Sequence, residues 1–182
     1  MRLPFFTIGH SNRSLGEFVE LLKGAQIELV ADIRTVPKSR TNPQFNKDAL
    51  PDALAPVGIA YEHMPALGGL RAKMRSSPQD INGFWTNESF HNYADYALSA
   101  QFHAGLERLL DAGRKRRSAI MCSEAVWWRC HRRIVADYLI ACGESVFHVM
   151  GQGRLEAAQL TSGALIQPGG HVVYPAVHRS GA

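Results

Sequence analysis

"SAIMCSEAVWWRCHRRIVADYLIACGESVFHVM", Ser118 to Met150, decides the fold. "SAIMC" is a short apolar run suited to a buried strand. "AVWWRCHRRIVADYLIACG" reads as a helix that ends at Gly143. "SVFHVM" is a second apolar run. Strand, helix and strand within roughly 30 residues make one βαβ unit, and such crossovers join parallel strands.

The same alternation extends upstream. "PFFTI" (Pro4 to Ile8) reads as a strand, followed by the turn "GHSNRS". Ser14 and Glu17 form a capping box ahead of "LGEFVELLK", where Leu15, Phe18, Val19 and Leu22 recur at helical spacing. "IELVADI" (Ile27 to Ile33) and "GIAYEHM" supply two more strands. Between them lie a proline-bearing loop and a short helix expected within 46–55, made irregular by Pro51. The polar, glycine-rich stretch 65–87 is a long loop of the kind that carries function. "ESFHNYADYALS" and "AQFHAGLERLLDAG" are helical, with Ser99 as a cap for the second. "QPGGHVVYP" near the end suits a hairpin or edge strand. The fold class expected is therefore α/β: one domain over 1–182 with a mostly parallel, doubly wound, Rossmann-like sheet of about five strands and helices on both faces. The motif-bearing part is about 5–150, and 151–182 is a C-terminal extension.

Composition excludes some classes. Apolar residues are 46% and charged residues 20% of the 182, with a net charge of +4. No apolar run reaches the ~20 residues that span a bilayer, so no membrane partner is expected. The opening "MRLPFFTIGHSN" reads as a strand and not as a signal peptide. A cytoplasmic location follows as an expectation, with Cys122, Cys130 and Cys142 reduced. A pI near 9.1 permits an anionic partner, either a small molecule or a nucleic acid. The sequence leaves the oligomeric state open and calls for no cofactor.

In a parallel sheet, ligands bind beyond the carboxyl ends of the strands. Three segments leave strands there: "GHSNR", "DIRTVPKSR" and "CSEAVWWRCHR". Cys122, expected where a strand ends and a helix starts, is either a thiolate favoured by the helix dipole or an inert buried thiol. Cys130 shares a helical stripe with Ile134 and Tyr138, which favours a core role. Glu124 is a candidate acid–base group or a helix-end charge. His131 and His10 are candidate proton carriers, and Asp32 and Arg34 share a strand face and are free to pair. Ser11, Asn12, Arg13, Arg34, Arg40, Arg132 and Trp128 are candidate anion or substrate contacts. The catalytic candidates are thus Cys122, Glu124, His131, His10 and Asp32.

Several chemistries fit less well. C-x7-C-H is not a common zinc spacing, and C-x2-C is absent, so no metal is assigned. Arg129 lies one residue too far from Cys122 for a phosphatase-type Cys–Arg cradle. A "DIR" strand followed later by a strand ending in Cys, then helix, glycine and strand, resembles the rhodanese layout in chain order, without the glycine-rich tail of that loop. An enzyme acting on a nucleotide, nucleic acid or other anion is the leading reading. A non-catalytic nucleic-acid-binding module resting on Arg114–Arg117 and Arg129–Arg133, a metal-dependent hydrolase and a rhodanese-like sulfur-handling protein are the alternatives.

Five stretches, "TIGHSNRSLGEFVELL", "ADIRTVPKSRTNPQFN", "YEHMPALGG", "NESFHNYADY" and "MCSEAVWWRCHRRIVADYL", resemble the uncharacterised domain-of-unknown-function family 488 over roughly Thr7 to Met150. The resemblance implies an α/β fold and supplies no reaction. It implies that Gly9, His10, Ser11, Asn12, Arg13, Asp32, Arg34, Arg40, Pro43, Phe45, Cys122, Glu124, Cys130, His131 and Arg132 are motif positions.

Overall fold

A computed structural model describes residues 1–75 and 81–177. The residues 76–80, inside the stretch read as a long loop, and 178–182 lie outside that description.

Six strands form one sheet in the order β3-β2-β4-β1-β5-β6. β1 (Phe5–Gly9), β2 (Leu29–Asp32), β3 (Ala60–His63), β4 (Ser118–Cys122) and β5 (Val146–Gly151) are parallel. β6 (Arg154–Ala157) adds an antiparallel edge. This edge strand escapes sequence reading because all four of its residues are exposed, so it has no alternating apolar signal. Near the C terminus, β7 (Leu165–Ile166) and β8 (Val172–Val173) make a separate small hairpin around the "QPGG" turn. The α/β class with a mostly parallel sheet holds as read from the sequence.

Side-chain alternation divides the core. Phe6, Ile8, Val30, Ala119 and Met121 face α1 (Leu15–Gly24) and α2 (Leu50–Leu54). Phe5, Ala31, Ile33 and Ile120 face α3 (Glu88–Tyr96), α4 (Ala100–Lys115) and α5 (Arg132–Ala141). Each of the larger of these side chains taken fully from water is worth about 1.5–3 kcal/mol. The right-handed crossover rule explains the division: β1→β2→β3 moves one way along the sheet and β3→β4→β5 moves back, so their helices cover opposite faces. The reversal falls at β1 and β4, where a ligand cleft is expected. Among the described residues no helix is long and apolar enough to cross a membrane.

Local signals set most boundaries. Ser14 Oγ accepts from the Glu17 N–H while the Glu17 carboxylate accepts from the Ser14 N–H, completing the capping box of α1. Ser99 caps α4 by accepting from the Phe102 N–H. One helix boundary differs from the sequence reading. The segment 125–143 is not one helix: a single 3-10 turn covers Trp127–Arg129 and α5 starts only at Arg132. Val126 (φ −94°, ψ 123°) and Cys130 (φ −127°, ψ 148°) are extended and interrupt any helix there. Tertiary contacts hold them so: the Trp127 ring stacks on His148 at 4.4 Å, and Arg132 donates to the carbonyls of Glu124 and Ala125. Helical spacing alone carries no trace of these contacts.

Candidate functional site

β1, β2 and β4 end side by side, with Gly9 paired to Cys122 and Asp32 to Met121. The segments that leave them share one rim, where a cleft of about 830 Å³ opens. His10, Ser11, Asn12, Arg34, Cys122, Glu124, Cys130 and His131 all line it. Lys38 and Arg129, both exposed, add positive charge to its wall.

The β4–α5 connection folds back over β1. His10 N–H donates to Cys122 O and Ser11 N–H to Ser123 O, each at 2.9 Å. Gly9 makes this crossing possible, because a Cβ there would lie 1.8 Å from the Glu124 carbonyl oxygen. Arg132 secures the crossing from below. Its side chain is 1% exposed, and Nη2 donates to Glu124 O at 2.8 Å. Arg132, read from sequence as a substrate contact, is therefore a buried brace for the loop. Arg13 plays a similar part, donating from Nη1 to the Gly9 carbonyl.

The crossing brings Cys122 and Cys130 together, with their Sγ atoms 2.6 Å apart. Three features gather on Cys130. The Arg132 backbone N–H points at its Sγ from 3.4 Å, at the start of α5. His131 Nδ1 lies 3.5 Å from the same sulfur. His131 Nε2 sits 2.9 Å from Ile33 O, so Nε2 carries the proton and donates to that carbonyl, leaving Nδ1 toward the thiol. Burial opposes charge on both sulfurs. For Cys122 burial pushes the thiol up, and its hydrogen bond to Cys130 holds the proton further. For Cys130, donation from Cys122 and the neighbouring His131 and Arg132 outweigh burial and hold the thiol well below its ordinary value. Of the two thiols, Cys130 therefore gives up its proton the more readily. The sequence reading put Cys122 at a helix start and Cys130 on a core stripe, whereas α5 begins at Arg132, beside Cys130.

A second group faces the thiols. Arg34 grips Asp32 with Nε to Oδ1 at 2.9 Å and Nη2 to Oδ2 at 2.7 Å. It also donates to Phe45 O at 2.6 Å and lies 3.2 Å from His10 Nε2. These bonds use four of the five N–H donors of a guanidinium, and Arg34 lines the cleft. Tyr61 donates to the same carboxylate, and burial pushes the Tyr61 hydroxyl up. His10 stacks on Phe45 at 4.4 Å and donates from Nδ1 to Ser11 O at 2.8 Å. Burial lowers its pKa, so the neutral ring accepts at Nε2 from Arg34. Asp32 is fully buried behind Arg34 and orients it. Glu124 is exposed on the rim. Among the described residues, Arg40 and Trp128 are exposed and stand apart from the cleft lining.

Sequence reading missed several parts of this wall. Gly69 must lack a side chain, because a Cβ would sit 2.5 Å from His131 Nδ1. Thr35, Lys38 and Phe90 also line the cleft. The "GG" of "YEHMPALGG" was the available signal, since paired glycines outside a helix often mark a close approach. Among the described residues no group of three or more His, Cys, Asp and Glu is placed to hold a metal ion.

A parallel α/β sheet with a dithiol, two histidines and a buried Asp–Arg pair at its carboxyl edge defines the class. Within it, the chain belongs to the domain of unknown function family DUF488, whose family model matches residues 14–139. Comparison with curated proteins and with solved structures returned no match.

Proposed function

We propose that the chain is an enzyme that binds an anionic substrate in the rim cleft and attacks it with the Cys130 thiolate. The observation that carries this reading is the environment of Cys130: a thiol donor at 2.6 Å, an imidazole at 3.5 Å and a helix-start N–H at 3.4 Å. These are the features that activate a cysteine nucleophile. His131 Nδ1 takes the thiol proton and returns it to the leaving group. Arg34, Lys38 and Arg129 favour negative charge in the cleft. Arg34 is fixed by Asp32 before any ligand arrives, which limits the ordering entropy of binding. A reducing cytoplasmic setting fits the reading, because it keeps both thiols reduced.

The test is protection against alkylation. Iodoacetamide should label Cys130 in the folded chain, and Cys130→Ser should abolish the fast phase. Sulfate, phosphate or a nucleoside monophosphate should slow labelling, and K38Q with R129Q should weaken that protection. Fast labelling that no anion slows would remove the substrate class. Labelling of Cys130 no faster than a free thiol would remove the nucleophile.

A further inference from the structure

Cys122 has no part in the reaction above beyond donating a hydrogen bond, yet its sulfur is held closer to Cys130 than packing requires. Non-bonded carbon atoms pack about 3.5–4.0 Å apart, whereas these sulfurs lie at 2.6 Å. A disulfide needs about 2.05 Å, so a shift of well under 1 Å would join them. The backbone on either side of the pair is held in place. Cys122 is the last residue of β4, Cys130 is fixed by the Arg132 N–H, and Arg132 holds the carbonyl of Glu124 between them. Both thiols reach the cleft.

We propose that Cys122 is the resolving thiol of a dithiol–disulfide centre, and that the cleft takes low-molecular-weight disulfides whose thiol halves carry carboxylates. The inference rests on Cys130 being the nucleophile. The Cys130 thiolate attacks one sulfur of R–S–S–R. The S–S bond breaks, and the departing RS⁻ takes the proton held by His131. Cys130 is now joined to RS. Cys122 then attacks the Cys130 sulfur, forming the Cys122–Cys130 bond and expelling the second RS⁻, which takes the Cys122 proton. Two electrons pass from the protein dithiol to the substrate, giving a protein disulfide and two RSH. The thiolate sits on the residue that attacks first, and the proton sits on the residue that must give it up second. Lys38 and Arg129 on the cleft wall supply the preference for carboxylates.

The experiment treats the reduced full-length protein with oxidised glutathione and reads intact and peptide masses. The wild-type chain should lose two hydrogens and keep no adduct. C122S should stop with glutathione on Cys130, and C130S should form neither product on that timescale. Cystamine, a cationic disulfide, should react on the order of tenfold more slowly at low salt. A wild-type chain that accumulates a lasting glutathione adduct on Cys130 would overturn the resolving role and leave the nucleophile standing. Failure to react with oxidised glutathione while iodoacetamide still labels Cys130 rapidly would overturn the substrate class alone. Failure of both reagents would remove the nucleophile as well. Equal rates for the two disulfides would overturn the charge preference. The first and last comparisons use the wild-type chain, so they do not depend on a variant folding.

Discussion

Two strand-to-helix connections meet at the cleft, and they are built differently. The β1–α1 turn runs from His10 to Ser14 and ends in a complete capping box. Its helix starts where local chemistry says it should. The β4–α5 connection runs from Ser123 to His131, and His131 makes no side-chain cap. Its helix starts where Gly9, Arg132 and Trp127 allow. The first connection can be read from four adjacent residues. The second depends on residues as distant as Gly9 and His148. That dependence has a structural consequence: it delays the helix from the expected start at Ala125 to Arg132, next to Cys130.

The contrast can be broken most severely at Gly9. Gly9→Ala forces a Cβ onto the Glu124 carbonyl, and we expect a loss of about 3 kcal/mol or more in urea unfolding, at the upper end of overpacking costs. Gly16→Ala is the matched control in the self-contained connection. It lies in α1 with nothing closer than 4.0 Å to a new Cβ, so it should stabilise by up to about 1 kcal/mol. Equal effects at the two glycines would erase the distinction.

Acid should act on the second connection next. His148 supports Trp127, bonds Thr7 Oγ1 through Nδ1 at 2.7 Å and is 2% exposed. Burial, with Arg132 nearby, pushes its pKa down to about 4. The unfolded chain, titrating near 6.5, therefore binds the proton first. Stability is fully present above pH 6.5 and falls as pH drops toward 4. The histidine's share is at most about 3 kcal/mol. H148Q should flatten that part of the stability profile, leaving the slope from His10 and His103, whose pKa values burial also lowers. An unchanged slope would contradict this role.

Arg132→Met keeps the volume near the loop but leaves the carbonyls of Glu124 and Ala125 without their donor. We expect about 2 kcal/mol of destabilisation together with slower labelling of Cys130. Loss of stability with full thiol reactivity would show that the brace does not set the site. The smallest effect belongs to the local device: Ser14→Ala removes one cap bond and should lower stability by about 1 kcal/mol with thiol labelling unchanged.

The same distinction explains what the sequence made legible. The parallel sheet, α1 with its box, α4 with Ser99 and the meeting of three loops at one rim all follow from short-range patterns. Apolar runs mark the buried strands because both faces are covered. The cluster of His10, Arg34, Cys122, Glu124 and His131 could be anticipated because strand ends converge. Which cysteine carries charge could not be read there. It turns on two extended residues, Val126 and Cys130, whose conformations are imposed by Trp127 on His148 and by a guanidinium under the loop. Helical spacing in "AVWWRCHRRIVADYL" is compatible with a longer helix, and only the packing rejects it. Likewise Asp32 and Arg34 could be paired from their spacing, whereas Phe45 O and His10 as further partners of Arg34 required the folded chain.

The placement of the thiolate is tested most directly by residue-resolved alkylation of the wild-type chain across pH. Brief iodoacetamide pulses followed by peptide mass analysis report each cysteine separately. Cys130 should label with a midpoint well below the ordinary thiol value of about 8.5, while Cys122 stays unlabelled at neutral pH. Labelling of Cys122 before Cys130, or a Cys130 midpoint at the ordinary value, would contradict it.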